Sequence, residues 1–217
     1  MSKLRFNLLL YLVTDRTWLG EKQLAEQIEA AVRAGVTMVQ LREKEFSFEA
    51  FTAEALAVKK VTDRYRIPLI INDRIDVAAA VDAAGVHLGQ KDGDIAEARK
   101  KLGKNKIIGM SAHNVTEAVE AEQKGADYLG AGAVFGSSTK TDASLLTFET
   151  LRDICHEVTI PVTAIGGIKS NNICKLSDTG ISGVAVISAI LGSRDIEQAT
   201  IKMQKLAKRI ISASGNI

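Results

Sequence analysis

Short apolar runs alternate with segments of helical period from one end of this chain to the other. Eight runs read as strands: Leu8–Thr14, Val36–Leu41, Pro68–Asn72, Val86–Leu88, Lys106–Met110, Tyr128–Gly130, Pro161–Ile165 and Gly183–Ile187. Between them the apolar residues recur at three- and four-residue intervals. Leu24, Ile28, Ala31 and Val32 share one helical face, and so do Ile196, Ala199, Met203, Leu206 and Ile210 near the end. Glycines punctuate the ends of these helical segments at Gly35, Gly85, Gly125 and Gly180. Asn114 and Glu117 have the spacing of a capping box that opens the fifth helix. The fourth strand–helix unit is expected to be short.

Such regular alternation favours a parallel sheet with helical crossovers. Eight units in 217 residues match a (β/α)₈ TIM barrel, with residues 1–217 forming a single domain. The alternative is an open doubly wound sheet, which ordinarily carries a glycine-rich loop after its first strand. Thr14-Asp15-Arg16-Thr17-Trp18 occupies that place, with no glycine before Gly20.

Composition closes off several function classes. The net charge of +2 is too small for a general attraction to nucleic acid or to an acidic membrane, so anion binding must rest on local cations. No apolar run approaches the length of a membrane span. The first ten residues lead into Val13-Thr14-Asp15 without a cleavage motif and read as a strand, not a signal peptide. Cys155 and Cys174 fit no metal spacing and are expected as free thiols in a reducing cytoplasm.

In a barrel of this kind the site forms at the C-terminal ends of the strands. The second strand ends Gln40-Leu41-Arg42-Glu43-Lys44. Period two puts Gln40, Arg42 and Lys44 on one face, an amide and two cations aimed at the mouth. Asn72 and Asp73 arrive where the third apolar run stops, and Asp92 follows the fourth. Asp73 could simply cap the next helix. Two carboxylates on adjacent strand ends also suit a hard cation such as Mg²⁺. Ser111 and His113 follow the fifth strand, His113 more in keeping with a structural role. After the sixth come Ser137, Ser138, Thr139 and Lys140, hydroxyls and a cation that can cradle an oxyanion. Gly166-Gly167 after the seventh strand and Ile187-Ser188 after the eighth occupy the usual phosphate-binding loops. The inventory points to two anionic groups and a metal in one mouth. No Ser–His–Asp set or cysteine nucleophile stands out, and chemistry by ionising a diphosphate leaving group needs electrostatic help more than a nucleophilic side chain.

These residues also carry a resemblance over roughly residues 8–212. The chain resembles the thiamine phosphate synthase family in Tyr11-Leu12-Val13-Thr14-Asp15, Val39-Gln40-Leu41-Arg42-Glu43-Lys44, Ile71-Asn72-Asp73-Arg74, Gly85-Val86-His87-Leu88-Gly89-Gln90, Ser111-Ala112-His113, Gly125-Ala126-Asp127-Tyr128, Ser138-Thr139-Lys140, Ala164-Ile165-Gly166-Gly167-Ile168 and Val186-Ile187-Ser188-Ala189. The resemblance implies that Gln40, Leu41, Arg42, Glu43, Lys44, Asn72, Ser111 and Lys140 bind a hydroxymethylpyrimidine diphosphate. It implies Mg²⁺ on Asp73 and Asp92, and a thiazole phosphate on Ser137, Ser138, Thr139, Gly167, Ile187 and Ser188. Lys140, Arg42 and Lys44 would then assist diphosphate departure, and the thiazole nitrogen would capture the resulting pyrimidine cation. The partners expected are these small molecules, with neither nucleic acid nor membrane, and the sequence gives no oligomeric state. Ala133, Gly136 and Ser137 depart from the family's usual prolines and threonine in the loop after the sixth strand. A thiazole tautomerase of the same barrel group is the nearest competing reading, with His113 as its proton carrier. A ligand-sensing regulator is the other, although nothing resembles a DNA-reading module.

Overall fold

The computed structural model describes residues 6–20, 23–136 and 145–213. Eight parallel strands close into a barrel in chain order: β1 (Leu10–Val13), β2 (Met38–Leu41), β3 (Leu69–Asn72), β4 (Gly85–Leu88), β5 (Ile107–Ala112), β6 (Tyr128–Gly132), β7 (Val162–Ile165) and β8 (Gly183–Val186). Outside them lie α1 (Leu24–Arg33), α2 (Phe48–Arg64), α3 (Ile75–Ala80), α4 (Ile95–Leu102), α5 (Val115–Gln123), α6 (Phe148–Glu157), α7 (Ser188–Leu191) and α8 (Ile196–Ala213). The ring closes where Tyr11 of β1 stands opposite Met38 of β2 on one side and Ala185 of β8 on the other.

All eight expected strands are present, mostly trimmed by a residue or two at their ends. Gly85 is the first residue of β4 and not a helix terminator. A side chain there would run into the Ile107 backbone of the adjoining β5. The short crossover is also not where the sequence placed it. The fourth helix has 8 residues, the third only 6, and after β7 the chain makes just a 3₁₀ turn, Ile173–Leu176. Ile173 and Leu176 are fully buried, so this turn still covers the sheet although it never becomes an α-helix. The capping box is half formed. Asn114 Oδ1 accepts from the Glu117 amide at 2.8 Å, but the Glu117 carboxylate turns to His113 instead of the cap amide.

Strand periodicity divides the core in two. Leu10, Leu12, Val39, Leu41, Ile71, Val86, Leu88, Ile108 and Leu129 face outward and pack under the helices. Tyr11, Val13, Met38, Ile70, Ile107, Tyr128 and Ala185 face inward and fill the barrel. The interior turns polar towards the C-terminal strand ends, where Gln40, Asn72 and His87 are all buried. Cys155 and Cys174 are free thiols, and burial pushes Cys155 up to about 12. Among the described residues no helix is long and apolar enough to cross a membrane.

Candidate functional site

The C-terminal ends of the strands surround a cavity of about 860 Å³. Gln40, Arg42, Asn72, Asp73, Ser111, Gly167, Ile187 and Ser188 line it, so residues spread over about 150 positions of sequence meet in one mouth. Most strands deliver their last inward-facing side chain there, and β6 contributes Gly130 and Gly132, which is why a polar residue after an apolar run carries the site.

On the β1–β3 side the site is a ladder of charges. The Arg42 amide donates to Thr14 Oγ1 at 2.9 Å, tying the end of β2 to β1. Its guanidinium faces Asp15 at 3.4 Å, and both side chains are largely buried. Lys44 Nζ stands 3.1 Å from Asp73 Oδ2. Asp73 is held in left-handed backbone, φ 62°, with its amide on the His87 carbonyl at 2.8 Å and its Oδ1 accepting from Asn72 Nδ2. Helix capping therefore does not account for Asp73. The cap position of α3 is Arg74, and it makes no side-chain cap bond.

Asp92 is exposed on the rim and does not itself line the cavity. Its carboxylate folds back over Gly89, which does line it, and a β-carbon on Gly89 would occupy the space of Asp92 Oδ2. A side chain at Gly89 would push this carboxylate oxygen aside. The described residues contain no cluster of three or more His, Cys, Asp or Glu able to hold a metal by protein ligands alone. Two carboxylates on neighbouring strand ends fit Mg²⁺, which keeps several waters and shares substrate oxygens.

The side chains of Leu41 and Glu43 do not line this mouth. The Leu41 side chain is fully buried under the helices, as an outward strand position must be. Glu43 points to Arg16, whose Nε donates at 2.9 Å and whose Nη2 reaches Glu54. Burial raises the Glu43 carboxyl above its ordinary range, and Arg16 opposes that shift. Through Arg16 the Glu43 side chain is tied to the loop after β1, and it is not among the residues that line the cavity. Ser137, Ser138, Thr139 and Lys140 lie outside the described residues.

At the opposite side Gly166 and Gly167 take φ of 102° and 64°. A side chain on Gly167 would come within 2.6 Å of the Gly136 carbonyl oxygen and 2.8 Å of that of Phe135. The loop is fastened by Asn172, which donates to Gly167 O at 2.9 Å and accepts from the Lys169 amide at 2.7 Å. α7 begins at Ser188 directly after β8, a short extra helix of the kind that completes barrel phosphate sites.

Several lining residues escaped the sequence reading: Tyr11, Trp18, His87, Gly130, Thr163 and Asn172. His87 could have been found, because Val86 and Leu88 flank it and period two turns it inward beside Gln40 and Asn72. Trp18 sits in a 3₁₀ turn, where no periodicity marks a direction. His113 lines the mouth as well, its Nδ1 2.8 Å from Glu117 Oε2.

Comparison with known proteins agrees with this geometry. A family model described as thiamine monophosphate synthase matches residues 10–190. The thiamine-phosphate synthase of Clostridium acetobutylicum is 52% identical over 200 residues, covering 92% of this chain and 95% of that protein. The thiamine-phosphate synthase of Enterococcus faecalis is 48% identical over 210 residues, covering 97% and 99%. The solved structure of thiamine phosphate pyrophosphorylase from Pyrococcus furiosus superimposes with a TM-score of 0.88 at 40% identity, over 96% of this chain and all of that one. The matched stretch takes in all eight strands and the loops that build the mouth, and the chain therefore belongs to the thiamine monophosphate synthase family of transferases.

Proposed function

We propose that the mouth couples an aminopyrimidine methyl diphosphate to a thiazole phosphate, releasing diphosphate and forming thiamine phosphate. The single observation that carries this reading is the juxtaposition of Arg42 and the Lys44-paired Asp73 at one side of the cavity with Gly167 and Ser188 at the other. One side suits a metal-bridged diphosphate and the other a monophosphate.

Lys44 pairs with Asp73. A Mg²⁺ ion held by Asp73 and Asp92 would neutralise charge that collects on the leaving diphosphate. Lys44, released from Asp73, then turns its ammonium to the same oxygens, with Arg42 beside it. Lys140 is assigned to this group by sequence position. These cations act most strongly as the carbon–oxygen bond breaks, because leaving-group charge is greatest then. The pyrimidine ring carries the cation left on the methylene carbon, and the thiazole nitrogen supplies the electron pair of the new bond. Gln40, Asn72 and Ser111 hold the pyrimidine. Backbone groups around Gly167 and Ser188, with Ile187, hold the thiazole phosphate so that its nitrogen meets that carbon.

The test is reconstitution. Purified protein mixed with the pyrimidine diphosphate, the thiazole phosphate and Mg²⁺ yields thiamine phosphate and diphosphate in equal amounts. EDTA abolishes the product and added Mg²⁺ restores it. A preparation that consumes neither substrate, or turns over equally well in EDTA, contradicts the reading.

A further inference from the structure

Below the mouth, five side chains from five strands form an unbroken hydrogen-bonded line across the barrel. Gln40 Nε2 donates to the Tyr11 hydroxyl at 2.7 Å. The Tyr11 and Tyr128 hydroxyls are 2.8 Å apart. Tyr128 is 2.9 Å from His87 Nδ1, and His87 Nε2 is 3.0 Å from Ser111 Oγ. Both tyrosines are fully buried. Their rings meet edge to face at 5.9 Å, so neither hydroxyl can swing away without moving the core.

Proton accounting gives this line a direction. A phenol has one proton. Tyr11, accepting from Gln40, must spend its proton on Tyr128, and Tyr128 must spend its own on His87 Nδ1. That nitrogen is therefore bare, and the ring proton sits on Nε2 and points to Ser111 Oγ. Two groups remain for the cavity. Gln40 Oε1, without a hydrogen bond among the described residues, is an acceptor. The Ser111 hydroxyl proton is a donor. The cationic rim of Arg42 and Lys44 favours the amide oxygen, not the NH₂, towards the mouth. Burial keeps both phenols protonated, holding Tyr11 and Tyr128 above the ordinary tyrosine range.

We propose that Tyr11, Tyr128 and His87 are positioning residues whose one-way hydrogen-bond chain fixes an acceptor at Gln40 and a donor at Ser111, and so selects a pyrimidine bearing an amine beside a ring nitrogen over its oxo counterpart. This rests on the coupling activity proposed above. An amine N–H meets Gln40 Oε1 and a ring nitrogen accepts from Ser111. An oxo-pyrimidine presents an oxygen to Gln40 Oε1 and an N–H to Ser111, and two acceptors facing each other exclude it. Sites built to hydrogen-bond a substrate reject the mismatched analogue strongly because buried groups are left unpaired.

The experiment compares the amino substrate with its 4-oxo analogue, and reads the His87 ring nitrogens by ¹⁵N NMR on the full chain. In the unaltered protein His87 shows a bare, pyridine-type Nδ1 and a protonated Nε2, and the amino substrate is strongly preferred. Tyr128→Phe keeps the ring and removes the link. Tyr11 is then free to turn its proton to Gln40, the Gln40 amide to reverse, and His87 to exchange tautomers. The amino-to-oxo ratio of kcat/KM falls by roughly 10- to 100-fold, mainly through KM, and the two His87 nitrogen signals converge. Tyr11→Phe lowers the same ratio and serves if Tyr128→Phe does not fold. A proton on Nδ1 in the unaltered protein, or an unchanged ratio in a folded variant, overturns the proposal. Failure of the unaltered protein to couple the amino substrate would instead refute the activity, while the NMR reading still decides the direction of the chain.

Discussion

Single residues decide how this mouth divides its work, and Gly167 shows it most simply. At φ 64° with two carbonyl oxygens under 3 Å from where a β-carbon would stand, the position accepts no side chain without cost. Left-handed backbone alone costs an alanine roughly 1–2 kcal/mol. Gly167→Ala is expected to lower the melting temperature and to push the Phe135–Gly136 backbone away from the β7 loop. Calorimetric titration should show thiazole phosphate binding weakened at least tenfold, with pyrimidine diphosphate binding nearly unchanged. Equal loss of both would mean that the loop is not a dedicated monophosphate site. At this scale the sequence was informative wherever a polar residue ended an apolar strand, as with Gln40, Asn72 and Ser111. It was silent on Lys44 and Asp73 as an ion pair, because residues 29 positions apart reveal a contact only when the barrel brings their strand ends together. Glu43 misled for a related reason: its neighbours in sequence face the mouth, but Arg16 captures it.

Among the elements, helix α5 and the segment entering β7 are joined by one carboxylate. Glu122 accepts from the Thr159 amide at 2.8 Å, its hydroxyl at 2.6 Å and the Ile160 amide at 3.1 Å. Desolvation works to raise this carboxyl, but the three hydrogen bonds hold it below its ordinary range. A depressed carboxylate stabilises the fold fully above its unfolded value, about 4.3 for glutamate, and that stabilisation disappears as pH falls through the folded value. Glu122→Gln is therefore expected to cost about 1 kcal/mol at pH 7, reduced by solvent screening from the larger worth of charged hydrogen bonds. In urea titrations the difference should shrink as pH falls below the unfolded value and be lost once the folded carboxyl is protonated. A destabilisation independent of pH would show that shape and not charge holds the joint. The alternation of strands and helices was legible because burial on one face imposes a period. The 3₁₀ turn after β7 was not, since four residues are too few to display one.

For the whole molecule, the proposed reaction requires that closure of eight strands gather a diphosphate clamp and a monophosphate seat into one cavity, so that electrostatics and not a proton carrier drives the chemistry. The barrel itself could be read from the sequence because each strand–helix unit repeats the same physical problem. What the cavity reads in its ligand could not, because the Gln40–Tyr11–Tyr128–His87–Ser111 line joins residues from five strands. Asp73 and His113 both face the mouth and separate the two chemistries. The decisive measurement is single-turnover formation of thiamine phosphate by Asp73→Asn and His113→Ala, side by side with both substrates bound. Losing one preorganised electrostatic element typically costs on the order of 10²–10³ in rate. A loss of that size is expected for Asp73→Asn, partly recovered by raising Mg²⁺, and no more than a few-fold change for His113→Ala. A fully active Asp73→Asn beside an inactive His113→Ala would contradict it.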